Sequence, residues 1–181
     1  MVYILVSPGA VLRASHFQPT KVPKHLFMKI TVLDPSSQDA QELLDLSDAY
    51  SKNLYPSESN HLASIAELSD QSTVFLGIYD GETILGCGAV MVMEDDGQYG
   101  ELKRVFIKEA YRGQGISKQL IIALENFLIK RSIAVIRLET GIHQLEALGL
   151  YKHLGYQIRE PYGAYKLDPL SIFMEKKLKI A

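Results

Sequence analysis

A glycine-containing loop between two apolar segments is the part of this 181-residue sequence that could bind a charged ligand. Glycine lets a backbone approach a ligand closely, and the N–H groups at the start of a helix attract anions. The pattern favours a pyrophosphate-binding loop, and the alternative is a plain strand-to-helix turn that uses glycine for its backbone freedom. The six residues of this loop are Arg112, Gly113, Gln114, Gly115, Ile116 and Ser117.

Two familiar phosphate-binding patterns do not match this loop. A P-loop needs a glycine, four further residues and then Gly-Lys-Ser/Thr, which residues 113–118 do not supply. A dinucleotide-binding Rossmann loop needs a third glycine three positions after Gly115, where Lys118 stands. Both of these nucleotide-binding classes are therefore excluded.

Other potentially reactive side chains have more ordinary explanations. Cys87 lies between two glycines in an apolar segment, so it is expected to be a small buried residue rather than a nucleophile. His143 and His153 do not have the i, i+4 spacing of a helical metal site. The acidic run at 94–96 lacks the spaced ligands of a calcium loop and indicates a solvated turn. We therefore expect no metal site.

The residues before the loop predict an N-terminal strand, two helices and a hairpin. Residues 28–33 have the apolar pattern of a strand, and a helix is predicted from about residue 36 to residue 52. A second short helix is predicted to start at Ser57. An Asp-Gly pair at 80–81 separates two apolar segments, which is a strong signal for two strands joined by a tight turn.

The second half of the chain alternates strands and helices around the glycine loop. A strand at 101–107 leads into the loop, and the helix after it carries apolar residues along one face. A strand that feeds a helix and then another strand has the form of a parallel crossover. The sequence therefore predicts a mixed α/β arrangement. The remaining predicted elements are a strand at 133–138, a helix at 143–154 and a final strand at 172–178.

Composition places the chain among ordinary globular proteins. It is 47% hydrophobic and 22% charged, and its formal net charge of -2 gives no reason to expect nucleic acid or an acidic membrane surface as a partner. A single cysteine excludes an intramolecular disulfide framework and favours a reducing compartment, so a cytoplasmic location is expected. No apolar run approaches the roughly 18 residues of a transmembrane helix, so no membrane span is expected.

The chain divides into an N-terminal extension and one domain. Residues 1–27 contain several prolines and no acidic residue, and they lack helical or alternating periodicity. A cleaner pattern begins at Met28, so we assign residues 28–181 to the domain. Composition leaves open whether residues 1–27 form an arm, a docked strand or the product of an upstream start codon.

The loop at 112–117 resembles the Arg/Gln-x-x-Gly-x-Gly/Ala loop of the GNAT superfamily of N-acetyltransferases, in which it binds the pyrophosphate of acetyl-CoA. Ser117 takes the place of the final Gly or Ala, and it keeps a small side chain and a backbone amide. The sequence is similar to subgroups described as amine or histone-type acetyltransferases. The resemblance covers most of residues 73–178. It extends through residues 101–104, residues 138–141, Gln144, Ala147, Tyr151, Gly155 and Tyr156.

This resemblance implies the GNAT fold: an α/β fold with a mixed, mostly antiparallel central sheet and helices on both faces. The fourth strand, third helix and fifth strand, β4-α3-β5, would form its parallel crossover. The resemblance also implies that strand 101–107 separates from its neighbour at a bulge, so that backbone groups near Val105, Phe106 and Ile107 pair with the pantetheine arm of acetyl-CoA. Gln144 would contact the same arm through its side-chain amide.

The same resemblance implies roles for two side chains in acetyl transfer. Glu101 would act as the base that removes a proton from the acceptor amine, directly or through a water. Its alternative is a solvated or salt-bridged strand carboxylate. Tyr151 would protonate the departing thiolate, and its alternative is a half-buried core tyrosine. Backbone N–H groups near Phe106 would stabilise the developing oxyanion.

The sequence thus predicts an N-acetyltransferase that moves an acetyl group from acetyl-CoA to a primary amine by direct attack. The alternative is a non-catalytic regulatory module that binds acyl-CoA, and a third reading is a structural domain with an incidental glycine loop. The acceptor is expected to contact residues 55–61 and 161–165, but a small-molecule amine and a protein amine both stay open. The sequence also leaves open a homodimer.

Overall fold

The computed structural model describes residues 28–56 and 62–180, which form one seven-stranded sheet and four helices. The strands are β1 (Met28–Val32), β2 (Thr73–Asp80), β3 (Thr83–Met93), β4 (Tyr99–Ile107), β5 (Val135–Gly141), β6 (Gln157–Arg159) and β7 (Ser171–Lys177). The helices are α1 (Gln38–Leu54), α2 (Ile65–Leu68), α3 (Ile116–Lys130) and α4 (Leu145–His153). A single 3-10 turn, Glu109–Tyr111, lies between β4 and α3.

The sheet is mostly antiparallel, with the order β1-β2-β3-β4-β5-β7-β6. Only the β4–β5 pairing is parallel, and α3 forms the crossover between these two strands. A parallel pair needs a crossover connection of this kind, whereas β2 and β3 are joined by the tight turn that the Asp-Gly pair predicts. The predicted mixed sheet and its β4-α3-β5 crossover are therefore confirmed.

Helices cover both faces of the sheet, as predicted. Alternate residues of a strand point to opposite faces. On β2, Leu76 packs in the larger core with Leu124 of α3, whereas Phe75 packs in a second core with Leu43 of α1. Helix α4 lies on the same face as α3, because its buried residue Tyr151 belongs to the larger core. The sheet is thus a central layer between α1 on one side and α3 with α4 on the other.

Side-chain capping determines where the first two helices begin. The Ser37 hydroxyl accepts a hydrogen bond from the Ala40 amide at the start of α1. At α2, Ser64 and Glu67 form a reciprocal capping box, in which each side chain bonds to the backbone of the other residue. The helix predicted to start at Ser57 lies outside the described residues, and so does the predicted extension 1–27.

Several element ends differ from the sequence prediction. Strand β5 begins at Val135 rather than residue 133, and α4 begins at Leu145 rather than residue 143. Gln144 is the N-cap of α4, with a non-helical φ of -91° and ψ of 63°. The short strand β6 was not predicted as a separate element, because three residues are too few to show an alternating pattern.

No helix in the described part of the chain is both long enough and apolar enough to span a bilayer.

Candidate active site

A bulge in β4 interrupts the regular pairing between this strand and β3. Cys87 of β3 lies opposite Phe106, but Ala89 lies opposite Lys103, so β4 contains one extra residue between these pairs. Arg104, at the bulge, has a φ of 54°, in the left-handed region that non-glycine residues rarely adopt. A bulge bends its strand and disturbs the local pairing. The bulge that the resemblance implied on this strand is present.

Beyond the bulge, β4 and β5 diverge. Their parallel ladder covers only residues 100–102 of β4 and ends at the pair Leu102–Leu138. Strand β4 then continues to Ile107 along β3, while β5 continues to Gly141 along β7. The opening between them is a cleft of about 110 Å³. Its walls include Val105 on the β4 side.

Backbone direction alternates along β4 and determines which amides face the cleft. The Lys108 amide donates to the Leu85 carbonyl, on the β3 side. Because hydrogen-bonding groups alternate along a regular strand, the Phe106 amide also points towards β3 and the Ile107 amide points away from it, whereas the bulge interrupts this alternation at Val105. The phenyl ring of Phe106 packs in the core beneath α1, while the side chain of Ile107 packs beneath α3.

Tyr151 reaches this cleft from α4. Its side chain is 8% exposed and lines the cleft, and its ring contacts that of Tyr156 at a centroid distance of 5.5 Å. Among the described residues, its hydroxyl has no hydrogen-bond partner. Burial raises the pKa of Tyr151 above that of a free phenol, and the charge of Glu139 raises it further. The phenol is therefore protonated at neutral pH.

Polar groups of β5 and the start of α4 form the opposite wall of the cleft. The Thr140 hydroxyl donates to Gln144 Oε1 at 2.8 Å, which orients the Gln144 amide. Both residues line the cleft, as does Glu139, whose carboxylate accepts a hydrogen bond from the Ser171 hydroxyl. Gln144, the N-cap of α4, and Tyr151 on α4 thus line one opening.

The glycine loop ends at the N-terminus of α3, next to the end of β4. Gly113 and Gly115 have φ values of 73° and 75°, and a Cβ atom added at either would meet open space. These glycines are therefore required by backbone conformation rather than by crowding within the protein. In the described part of the chain, the backbone amides of residues 115–118 have no protein acceptor. Such amides at a helix N-terminus can bind an anion.

Other side chains of the predicted loop have structural roles. Arg112 Nε donates to the Ile107 carbonyl at 3.0 Å, and the guanidinium lies over the rings of Tyr50 and Phe106. This arrangement fixes the loop against the end of β4. Ile116, the first residue of α3, is buried, whereas Gln114 is exposed and Ser117 half-buried. The loop can therefore contact an anion through its backbone while Arg112 and Ile116 hold it in place.

Glu101 lies on the other side of the β4 bulge, in a second cavity of about 610 Å³. Its carboxylate is 4% exposed and accepts hydrogen bonds from the hydroxyls of Tyr165, at 2.7 Å, and Tyr162, at 3.1 Å. Lys103 Nζ forms an ion pair with the same oxygen at 3.0 Å and also donates to the Tyr165 hydroxyl. Burial and the nearby Glu101 charge raise the pKa values of both tyrosines.

Sequence reasoning did not identify this set of partners. It placed the loop 161–165 near the acceptor, but it did not connect Tyr162 or Tyr165 with Glu101, which is more than 60 positions away along the chain. The aromatic composition of the loop was the available signal. In the structure Glu101 is an ion-paired carboxylate that also lines a cavity, and both alternatives for its role stay predictions.

The two cavities meet at one place. Leu62, Ala63 and Lys103 line both of them, so the cleft that holds Tyr151 and the cavity that holds Glu101 share a wall. Arg104 Nε donates to the Ala63 carbonyl at 2.8 Å, and its guanidinium also pairs with Asp48 of α1. The bulge residue therefore holds this shared wall against β4. Two ligands, one in each cavity, would meet beside Lys103.

Residues 28–56 and 62–180 contain no candidate metal site, because no three His, Cys, Asp or Glu side chains among them are grouped so that they could hold an ion. Cys87 is 1% exposed, and burial raises the pKa of its thiol to about 12. A thiol with this pKa is almost entirely protonated at neutral pH, so it is a poor nucleophile.

Comparisons with known proteins agree with this geometry. Residues 40–156 match the Acetyltransferase (GNAT) family. The chain is 39% identical over 142 residues to an IAA acetyltransferase from Azospirillum brasilense, which covers 78% of this chain and 92% of that protein.

Solved structures share the fold. The structure of a candidate acyl-CoA N-acyltransferase from Klebsiella pneumoniae subsp. pneumoniae MGH 78578 is 36% identical, with a TM-score of 0.70, and covers 84% of this chain and 98% of that one. A GNAT family acetyltransferase from Elizabethkingia anophelis, with acetyl-CoA bound, is 17% identical, with a TM-score of 0.62, and covers 83% and 98% of the two chains. The fold, the cleft and these relatives together show that the chain belongs to the acetyltransferase (GNAT) family and is an acyl-CoA-dependent acetyltransferase.

Proposed function

We propose that this protein transfers the acetyl group of acetyl-CoA to a primary amine, by direct attack of the amine on the thioester. The observation that carries the proposal is the opening between β4 and β5, which is lined by Tyr151 with its protonated hydroxyl. Further along the chain, β4 leads to the N-terminus of α3, where the amides are unpaired. An extended molecule with an anionic group at one end and a sulfur at the other matches these features.

The cofactor is proposed to lie along the diverging edge of β4. Its pyrophosphate would accept hydrogen bonds from the amides of residues 115–118, where the helix dipole also favours negative charge. The pantetheine arm would pair with the backbone of Val105 and Ile107, adjacent to Phe106. On the opposite wall, the side-chain amide of Gln144 would bond to the same arm.

Tyr151 is proposed to donate a proton to the leaving thiolate. A free thiol has a pKa of about 8.5 and an ordinary phenol one of about 10, so a phenol is protonated at pH 7 and can serve as the acid. Burial raises the pKa of Tyr151 further, which keeps the proton on the phenol until the thiolate forms. As the amine attacks, the developing oxyanion would accept a hydrogen bond from the Val105 or Ile107 amide.

Glu101 is proposed as the base, acting through a water in the larger cavity. An amine must lose a proton to attack, and a carboxylate near the junction of the cavities can accept it. Tyr162, Tyr165 and Lys103 already donate to this carboxylate. All three contact Oε1, so Oε2 is the oxygen that would accept the proton through a water.

The test is release of free thiol from acetyl-CoA in the presence of a panel of acceptors. The panel would contain alkyl amines, aryl amines, polyamines, amino acids, a lysine-containing peptide, and IAA because it appears in the name of the Azospirillum brasilense relative. We expect amine-dependent thiol release with at least one of the amines. A matching mass increase of the amine, the replacement of one hydrogen by an acetyl group, would identify the product.

A binding measurement separates this proposal from a non-catalytic module. Acetyl-CoA should raise the melting temperature, because a ligand that binds only the folded state stabilises it. A shift without acetylation of any panel member would favour the regulatory module instead. No shift at concentrations far above micromolar would contradict both functions.

A further inference from the structure

The larger cavity has two chemically distinct parts. Its inner end holds the Glu101 carboxylate with the hydroxyl of Tyr165 and the ammonium of Lys103. More exposed apolar side chains line the same cavity, among them Leu62, Met93 and Leu167. A ligand that fits both parts has a polar end directed inward and an apolar body against these more exposed side chains.

The position of Leu167 gives the strongest indication that the larger cavity binds an apolar ligand. It is 82% exposed although it lines the cavity, in the loop between β6 and β7. Exposed leucines are common on protein surfaces, but this one faces the same space as Leu62 and Met93. An apolar group between these side chains would remove them from water, which contributes about 25 cal/mol per Å² of buried apolar surface.

The charges of the cavity favour a cation as it enters. Glu101 and Lys103 neutralise each other at the inner end. Three further carboxylates line the cavity against one further lysine. A cleft lined mainly by one sign of charge raises the local concentration of ligands of the opposite sign. These charged side chains are Glu67, Asp95, Asp168 and Lys166.

We propose that the acceptor is a small primary amine with an apolar or aromatic body, such as an arylalkylamine. This inference rests on the proposed acetyl transfer and specifies its substrate class. The amine end would reach the junction of the cavities beside Lys103, and the body would lie against Leu62, Met93 and Leu167.

The size of the cavity agrees with this class. Sites for small ligands usually measure about 300 to 1,000 Å³, and this one measures about 610 Å³. A protein lysine would insert only an unbranched chain and leave most of the apolar wall uncovered.

The first test compares five amines in the thiol-release assay with saturating acetyl-CoA. The panel contains 2-phenylethylamine, tryptamine, ethylamine, spermidine and a lysine-containing peptide. We expect kcat/KM for the two aromatic amines to exceed that for ethylamine by about 10-fold or more, since burying each methylene-sized group contributes about a factor of four. Higher kcat/KM for spermidine or for the peptide would overturn the proposal and leave acetyl transfer itself intact.

The second test changes the apolar wall without changing the core. Leu167→Asn should lower kcat/KM for 2-phenylethylamine by about 3- to 10-fold, because it removes part of one leucine side chain's apolar contact. The same variant should leave kcat/KM for ethylamine and the melting-temperature shift with acetyl-CoA unchanged. Val32→Asn is the matched control, since Val32 is 70% exposed and lies on β1, at the opposite edge of the sheet from β6.

The possible outcomes distinguish a wrong amine class from a wrong assignment of acetyl transfer. Equal loss for 2-phenylethylamine and ethylamine in Leu167→Asn would show that Leu167 does not contact the amine's body, and an unchanged kcat/KM for 2-phenylethylamine would show the same. Thiol release with none of the amines, despite acetyl-CoA binding, would instead count against the proposed function as a whole.

Discussion

Replacing Tyr151 with phenylalanine tests the chemistry of the cleft while leaving its shape unchanged. The hydroxyl has no hydrogen-bond partner among the described residues, so its removal breaks no bond within that part of the fold. We therefore expect the free energy of unfolding to change by less than about 1 kcal/mol. The transfer rate should fall by about 10²-fold, the lower end of the range for losing a general acid, which corresponds to about 2.7 kcal/mol in the barrier.

The neighbouring residue Tyr156 supplies a control with the opposite pattern. Its buried hydroxyl donates to Glu125 Oε1 at 3.0 Å, and Lys176 pairs with the same carboxylate. Tyr156→Phe should lower the free energy of unfolding by about 1 to 3 kcal/mol, because it removes a buried hydrogen bond to a charged group. Its transfer rate, in contrast, should stay within about 3-fold of the parent rate, since this hydroxyl does not line the cleft.

The assay must measure the chemical step. In a single-turnover experiment, the protein would be mixed with acetyl-CoA and a saturating concentration of an amine that the panel shows to be acetylated. This experiment would report thiol release before product dissociation. Urea unfolding of both variants supplies the stability values, and titration with acetyl-CoA supplies the affinity. Tyr151→Phe with the parent single-turnover rate would refute the role of Tyr151 as the acid and return it to a packing role in the core.

Further changes test the base, the loop, the thiol and the domain boundary. Glu101→Gln should slow transfer with a loss that shrinks as pH rises, because more of the amine is then neutral without a base; a loss that is constant with pH would argue for a structural role. Gly115→Ala should lower the free energy of unfolding by about 1 to 2 kcal/mol through its positive φ and also weaken acetyl-CoA binding. Gly81→Ala, at a φ of 60° in the β2–β3 turn, should show the same destabilisation in urea with no change in that affinity. Cys87 should resist iodoacetamide in the folded protein at pH 8, as followed by mass spectrometry, because burial raises the pKa of its thiol to about 12; rapid alkylation would show that its strand opens readily. A chain that begins at Met28 should fold and bind acetyl-CoA, as judged by thermal unfolding, and insoluble protein would indicate that residues 1–27 contribute to the fold.

Local patterns were sufficient to predict most of the fold. The Asp-Gly pair at 80–81 gave the β2–β3 hairpin, and the apolar face of α3 gave the crossover, because turn chemistry and helical periodicity act over a few residues. Strand β6 was missed because its three residues are held by their pairing with β7 rather than by a pattern of their own. The start of α4 was misplaced because Gln144 accepts a hydrogen bond from Thr140 and has a non-helical backbone.

The candidate site was only partly predictable for a related reason. Its glycine loop and Tyr151 belong to contiguous motifs, so the sequence could indicate them. The contacts of Glu101 with Tyr162 and Tyr165 join strands and loops that are far apart in the chain, and periodicity carries no information about such pairs. The φ of 54° at Arg104 is equally hidden, because arginine gives no signal for a left-handed conformation.

The divergence of β4 and β5 gives this sheet two edges in its interior. An ordinary sheet has edges only at its outer strands, where exposed N–H and C=O groups invite pairing with other chains. Here the end of β4 and the end of β5 face a gap that another extended segment could enter. A cofactor in that gap would act as a removable strand, and it would protect the protein from self-association as well as supply the acyl group.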